Sequence, residues 1–531
     1  MSSERMLLSG NEAVALGAKH AGCALGVGYP GTPSTEILEN YAKLEGCRAQ
    51  WSPNEKVAME VGVGVAFAGS RTLVTMKHVG VNVAADPLFT VAYTGVTGGL
   101  VLAVADDPGM ASSQNEQDSR NYARAAGVPM LEPADSQEAY DMVKLAFEIS
   151  ERWKLPVMLR LCTRVCHSKS SVVASDEHEV PPADYVRSIR ERVMIPAYAR
   201  PAHKVLRGKL AEIEAWNNAE GPNAVMGEGS RLGIIANGVA ALHAIEAAPD
   251  AKVLKLGMIY PLPMQTILEF IDSVEDCVVV EEGDPFIQTE IMAAGGKVRP
   301  RIERYRFGEL DVVRVRRILD RDDSEEAAPP SGKPPQLCEG CPHRASFGVL
   351  KRLDCIITGD IGCYTLSVLP PFETMDTCVC MGASIGVGLG MRHVLPEEQA
   401  RRVVSVIGDS TFMHSGLTGV ADMVYNRPPT GHLIVILDNG TTAMTGLQEH
   451  PGTGRSLDHT PTGKSVSIEE ICKALGVDRV VVLDPSREME AFERAVRDAL
   501  ESNELTVIIA RRPCILAVVR DAKLERGDKV R

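Results

Sequence analysis

Residues 407–445 read IGDSTFMHSGLTGVADMVYNRPPTGHLIVILDNGTTAMT. An apolar strand ends in Gly-Asp-Ser, a helical stretch follows, and a second apolar strand ends in Asp-Asn-Gly. A parallel strand-helix-strand unit sets the carboxyl ends of its two strands side by side, and that edge of an open α/β sheet is where ligands bind. Asp409 and Asn439 are therefore expected to face each other across a crevice. A carboxylate oxygen, an amide oxygen and a nearby backbone carbonyl form an incomplete octahedron of hard ligands, suited to Mg²⁺ that still binds phosphate oxygens. An ordinary crossover in which Asp409 only caps a turn fits the GDS triplet as well. Upstream, residues 380–391 read CMGASIGVGLGM. Small residues at Gly382, Ala383, Gly386, Gly388 and Gly390 let a helix start lie close to a bound group, with amide N–H groups free for an anion.

Working outward, 531 residues exceed one core and suggest roughly three to four domains. Hydrophobic content of 45% and charged content of 24% are those of a soluble globular protein. A formal net charge of -14 argues against a nucleic-acid surface. No apolar run reaches membrane-spanning length and the first residues lack the layout of a signal peptide, so a cytoplasmic protein is expected. Its 13 Cys are then mostly reduced, and clustered ones call for a metal or redox role.

The fold class expected is α/β, with three doubly wound parallel-sheet domains. Residues 1–165 alternate strands such as RTLVTM, GLVLAVA and PVMLRL with helical stretches. Residues 166–228 read as a linker region, beginning with the polar stretch HSKSSVVASDEHEVPPADYV. Residues 229–320 repeat the alternation, the Pro- and charge-rich residues 321–335 form a second linker, and 336–531 carry the last set of strands.

The GDS triplet followed by an Asn 30 residues on resembles the diphosphate motif of the thiamine diphosphate (ThDP) enzymes. The resemblance implies Mg²⁺ held by Asp409, the Asn439 side chain and the Thr441 carbonyl, with Gly408, Ser410, Gly382 and Ala383 beside the diphosphate. It also implies that the first domain binds the aminopyrimidine and that the middle one is of transketolase C-terminal type. Such enzymes place a Glu on a pyrimidine ring nitrogen, and Asn54-Glu55-Lys56 stands where that Glu is expected. Glu55 also fits as a plain acidic residue in a first helical turn, and Glu60 is a competing acid inside the helix.

The segments GYPGTPS, TMKHVGVNVAADPL, ADDPGMASSQNEQDSR, CEGCPHRASF, GDIGCYTL and DNGTTAMTG extend the resemblance to the 2-oxoacid:ferredoxin oxidoreductases. Within that family they resemble the alpha subunits that act on indolepyruvate. By this resemblance Thr32 lies against the substrate carboxylate, and Lys77, His78 and Asn82 are active-site polar groups. A structural histidine fits His78 equally. The family also implies oxidative decarboxylation of a 2-oxoacid, an arylpyruvate in this branch, with CoA and one-electron delivery to ferredoxin or another carrier. A small beta subunit is an expected partner, as is a second copy of the chain; neither nucleic acid nor a membrane is.

One-electron delivery requires an iron–sulfur centre, and Cys338-Glu339-Gly340-Cys341 is a CxxC. By itself a CxxC is a redox pair or half a zinc site. A 4Fe-4S cluster takes four thiolates, and the resemblance supplies the others as Cys363 and Cys514, although both also fit as buried apolar thiols. The alpha subunits usually end in a ferredoxin-like domain, whereas no Cys follows Cys514 here. The expectation is that an accompanying subunit carries those clusters or that electrons leave by another route. A non-oxidative ThDP decarboxylase or ligase with purely structural cysteines is the alternative.

Overall fold

A computed structural model describes residues 5–175, 177–179, 183–327 and 335–526. The chain divides into two compact units, Met1–Ala327 and Ala328–Arg531.

The first unit is built on a seven-stranded sheet. In spatial order its strands are Met258–Tyr260, Met130–Leu131, Val157–Cys162, Leu100–Asp106, Thr72–Lys77, Leu25–Gly28 and Ala49–Trp51. All neighbours are parallel except the edge strand Met258–Tyr260, which runs antiparallel to Met130–Leu131. The strands LVLAVAD and VMLRLC are buried at every position. Runs this apolar, interrupted only by the buried Arg160–Asp106 pair, are what a parallel strand covered by helices on both faces requires. A second sheet has Leu232–Asn237 at its centre between Asp276–Val280 and Lys252–Leu256, all parallel, with Ala224–Met226 antiparallel at the edge.

Residues 166–228, expected as a linker, are largely structured. Lys169–Val173 pairs antiparallel with Arg5–Ser9, and Pro196–Glu220 is a 25-residue helix that buries Leu206, Leu210 and Ile213. Its apolar stripe is narrow, so the sequence pattern is weak. What the sequence separates as 1–165, 166–228 and 229–320 thus lies in one compact unit. Of the linker 321–335, residues 328–334 lie outside the described residues.

The second unit is an all-parallel six-stranded sheet. The order is Met375–Cys378, Ile356–Gly359, Val403–Gly408, His432–Asp438, Leu505–Arg511 and Arg479–Leu483. Alternate residues enter two separate cores. Val404, Val406, Val435 and Leu437 pack with Phe347, Leu350 and Phe492, while Ile407, Ile434 and Ile436 pack with Ile385, Phe412 and Val420. The helical crossover after Asp409 is not regular: Phe412–Gly416 forms a π turn before the α-helix Leu417–Tyr425. Single π turns of this kind recur at functional sites. Among the described residues no helix is long and apolar enough to cross a membrane.

Candidate active site

In the second unit Val403–Gly408 and His432–Asp438 are neighbours in register, Gly408 opposite Leu437. Asp409 and Asn439 therefore leave adjacent strand ends at the same edge. Both are buried. Asp409 Oδ1 accepts the Ser410 amide at 2.9 Å, and Oδ2 accepts the Gly440 amide at 2.8 Å. His450 Nε2 also donates to Oδ2, at 3.2 Å. Burial pushes the Asp409 carboxyl up, but the His450 charge and hydrogen bond and the two amides outweigh it and leave the group below its ordinary range. Burial pushes His450 down, and Asp409 more than reverses this.

Asn439 Oδ1 accepts the Thr441 amide at 3.1 Å, and its second lone pair remains for a cation. The Asn439 Nδ2 group faces His343 Nε2 at 3.2 Å. Burial pushes the His343 imidazole down to about 4, against the pull of Asp409. An amide NH₂ can only donate, so in this contact Nε2 accepts. The Thr441 hydroxyl donates to the Gln448 carbonyl at 3.1 Å, and Ser410 Oγ lies 2.6 Å from Thr442 Oγ1. A carboxylate, an amide oxygen and a backbone carbonyl at one strand edge fit a hard divalent cation with open positions.

The glycine-rich helix start is engaged by the protein itself. Asp360, which directly follows the strand Ile356–Gly359 and is fully buried, accepts the Gly382 amide at 2.8 Å through Oδ1 and the Ser384 amide at 3.0 Å through Oδ2. The Ala383 amide donates to the Cys380 carbonyl at 3.1 Å. These N–H groups, expected to be free for an anion, are thus occupied. What Gly382 still offers is space: its φ is +86°, and a Cβ there would stand 2.2 Å from Ser415 Oγ. Asp360 was missed in the sequence, yet its Gly-Asp at a strand end is the same signature that marked Asp409.

The four cysteines lie in the second unit as one neighbourhood. Burial pushes the Cys363 thiol up to about 12, and negative charge on Cys341, Cys514 and Cys338 pushes the same way. Cys341 is pushed up to about 11 by burial, with Cys338 and Cys514 contributing. Cys338 is exposed, Cys341 and Cys363 are half-buried and Cys514 is buried. Among the described residues no three His, Cys, Asp or Glu side chains converge on a single metal ion. A 4Fe-4S cluster takes four Cys thiolates, a different ligand set from that of a single ion. Cys378, which ends the strand Met375–Cys378, and Cys380 are exposed.

In the first unit, Glu55 opens the helix Glu55–Phe67, whose N-cap Asn54 accepts the Val57 amide at 2.9 Å. Glu55 is only 5% exposed and packs on Gly80, where a Cβ would stand 2.7 Å from Oε1. Lys77 ends the strand Thr72–Lys77, and its stem crosses Gly31. Burial lowers the pKa of Lys77, opposed by the charges of Asp107 and Glu55. Its Nζ donates to the Ser112 carbonyl at 3.1 Å, and Ser112 Oγ donates to the Thr32 carbonyl at 3.4 Å. Asp107, missed in the sequence, fastens this loop by accepting the Ser112 amide at 2.8 Å and Ser113 Oγ at 2.7 Å. His78 is fully buried; Nε2 donates to the Asn115 carbonyl at 3.1 Å, and Nδ1 has no partner among the described residues. Glu55, Lys77, His78 and Thr32 thus belong to one strand edge, whereas Asn82 is exposed and accepts the Tyr122 hydroxyl. Glu60, the competing acid, pairs with Lys56 on the exposed face.

Residues 16–220 match the family model for the thiamine diphosphate-binding domain of pyruvate flavodoxin/ferredoxin oxidoreductases. Residues 360–510 match that for the C-terminal TPP-binding domain of thiamine pyrophosphate enzymes. The indolepyruvate oxidoreductase subunit IorA of Archaeoglobus fulgidus is 40% identical over 563 aligned residues, covering 98% of this chain and 88% of the relative. The IorA subunit of Pyrococcus abyssi is 40% identical over 582, covering 99% and 88%. Among solved structures, a 2-oxoglutarate:ferredoxin oxidoreductase from Magnetococcus marinus superposes with a TM-score of 0.48 at 14% identity, over 56% of this chain and 61% of that one.

Proposed function

The chain belongs to the IorA family of indolepyruvate oxidoreductase subunits, and from that membership we propose that it oxidatively decarboxylates an arylpyruvate with CoA, giving acyl-CoA, CO₂ and reduced ferredoxin. It is a thiamine diphosphate-dependent 2-oxoacid oxidoreductase and the catalytic subunit of that enzyme. The partners proposed are a small second subunit, ferredoxin or an equivalent carrier, and a second copy of this chain, in the cytoplasm.

The observation that supports the site most directly is the placement of Asp409 and Asn439 on adjacent parallel strand ends. Asp409, Asn439 Oδ1 and the Thr441 carbonyl would hold Mg²⁺, with Gly408 and Ser410 beside the diphosphate. Gly382 and Ala383 would contribute by lacking bulk. When bound, the coenzyme supplies a carbon nucleophile that also serves as an electron sink.

The residues of this chain do the rest. Glu55, buried against Gly80, would hold a proton at the pyrimidine ring nitrogen. Lys77 would attract the substrate carboxylate, aided by Thr32. The buried lone pair on His78 Nδ1 would accept a hydrogen bond from substrate or water, its tautomer set by Asn115. The grouped thiols of Cys338, Cys341, Cys363 and Cys514 would hold a 4Fe-4S cluster, which passes electrons singly.

Anaerobic turnover of a panel of 2-oxoacids with CoA and a viologen dye, with the small subunit present, tests this reading. Arylpyruvates should reduce the dye in a CoA-dependent way, and the protein should carry about four irons and four acid-labile sulfides per chain. Decarboxylation without dye reduction, in iron-free protein, would instead establish a non-oxidative enzyme.

A further inference from the structure

Asn439 is gripped by both cysteine-bearing segments. Its backbone carbonyl accepts the Cys514 amide at 2.9 Å. Its side-chain Nδ2 meets His343 Nε2 at 3.2 Å, and His343 follows Cys341 by two residues. With the backbone pinned, the main freedom left to the side chain is a half-turn of the amide. That half-turn would point the NH₂ at the Thr441 N–H and the oxygen at the His343 lone pair. Both contacts would then be mismatched, and a buried mismatched polar group costs roughly 1–3 kcal/mol. The imidazole is itself held, buried and edge-on to Tyr364 at 6.0 Å.

We infer that His343 is a positioning residue for the metal site: by accepting from Asn439 Nδ2 it locks the amide with Oδ1 turned toward the cation, tying the CxxC segment to the diphosphate-binding edge. The inference rests on the reading of Asn439 as a Mg²⁺ ligand. Partners that orient metal ligands typically change metal affinity by 10–100-fold when removed.

Calorimetric titration of Mg²⁺ into the anaerobically purified full chain with thiamine diphosphate provides the test. His343→Phe keeps the ring volume but removes the acceptor, and should weaken Mg²⁺ binding by about 10–100-fold. His343→Gln restores an acceptor and should stay within about threefold of the parent. A carboxylate has two equivalent oxygens and no wrong orientation. In an Asn439→Asp background His343→Phe should therefore change Mg²⁺ affinity by less than about threefold, the non-additivity of a direct interaction.

Equal losses in both backgrounds would mean that His343 only supports the fold. Unchanged Mg²⁺ affinity in His343→Phe would overturn the inference outright. Should the Phe variant fail to fold, a tenfold loss in His343→Gln would overturn it equally. If Asn439→Ala itself binds Mg²⁺ normally, the assignment of the metal ligands is what fails.

Discussion

Glu55 lies against Gly80 with no room for a single added carbon between them: a Cβ at Gly80 would stand 2.7 Å from both Cγ and Oε1 of Glu55. Residue 80 is thus a glycine because the buried carboxyl needs its surface. Gly80→Ala should displace the flexible end of Glu55 and leave the helix His78–Thr94 intact. Turnover should fall about 10–100-fold, in line with a misplaced catalytic group. Steady-state kinetics beside a thermal melt would check this, and a melt that falls along with the rate would point to a packing defect instead.

Glu282 should make the first unit sensitive to pH. Burial pushes its carboxyl from an ordinary 4.5 up to about 7, with the Leu310 amide and Arg160 pulling the other way. A folded-state pKa above the unfolded one means that the folded state holds the proton more tightly. That contribution is complete below about pH 4.5 and is lost as pH rises through 7. The loss amounts to about 3 kcal/mol. Glu282→Gln cannot ionise and keeps an acceptor for the Leu310 amide, so urea unfolding of parent and variant should agree near pH 4 and diverge at pH 8, the variant being the more stable.

Asp360 holds three amides at once, those of Ile361, Gly382 and Ser384. Hydrogen bonds to a charged group contribute roughly 1.5–3 kcal/mol each, and they are not additive. Asp360→Ala should therefore destabilise the second unit by about 3 kcal/mol and loosen the start of Ala383–Val394. Amide exchange of residues 382–385 is the direct measurement, and unchanged protection there would sink the idea.

Arg120 is fully buried, 2.6 Å from Asp118 and 2.5 Å from Glu281, and donates to the carbonyls of Glu282 and Asp284. Removing one partner of such a pair leaves uncompensated buried charge, which costs about 3–5 kcal/mol. Arg120→Met should lower the urea midpoint of the first unit sharply while sparing the second. Adding Glu281→Gln should recover part of the loss.

The crossover at 407–445 was legible because strand periodicity and turn residues are local properties. The apolar strands expected to end in Gly-Asp-Ser and in Asp-Asn-Gly are the observed Val403–Gly408 and His432–Asp438. The π turn was not, since FMHSG carries no local marker of a widened helix. Nor were the roles of His343 and His450, which come from residues far apart in sequence meeting in space. Their neighbours Asn439 and Asp409 lie 96 and 41 positions away. The helix Pro196–Glu220 escaped because much of its length is exposed and its buried positions are few. The engaged amides of Gly382 and Ser384 show a further limit: a glycine-rich helix start announces an anion, but not that the anion is the chain's own aspartate.

The short strand Met258–Tyr260 belongs in sequence to the second sheet's segment and in space to the first sheet, running along Met130–Leu131. A gene cut between the two segments would therefore strip the first of its border. The fragment ending before residue 229 would present the naked rim at Met130–Leu131 to solvent, an invitation to pair with other molecules. Anyone wishing to express the coenzyme-binding amino-terminal half alone should carry the boundary past Tyr260.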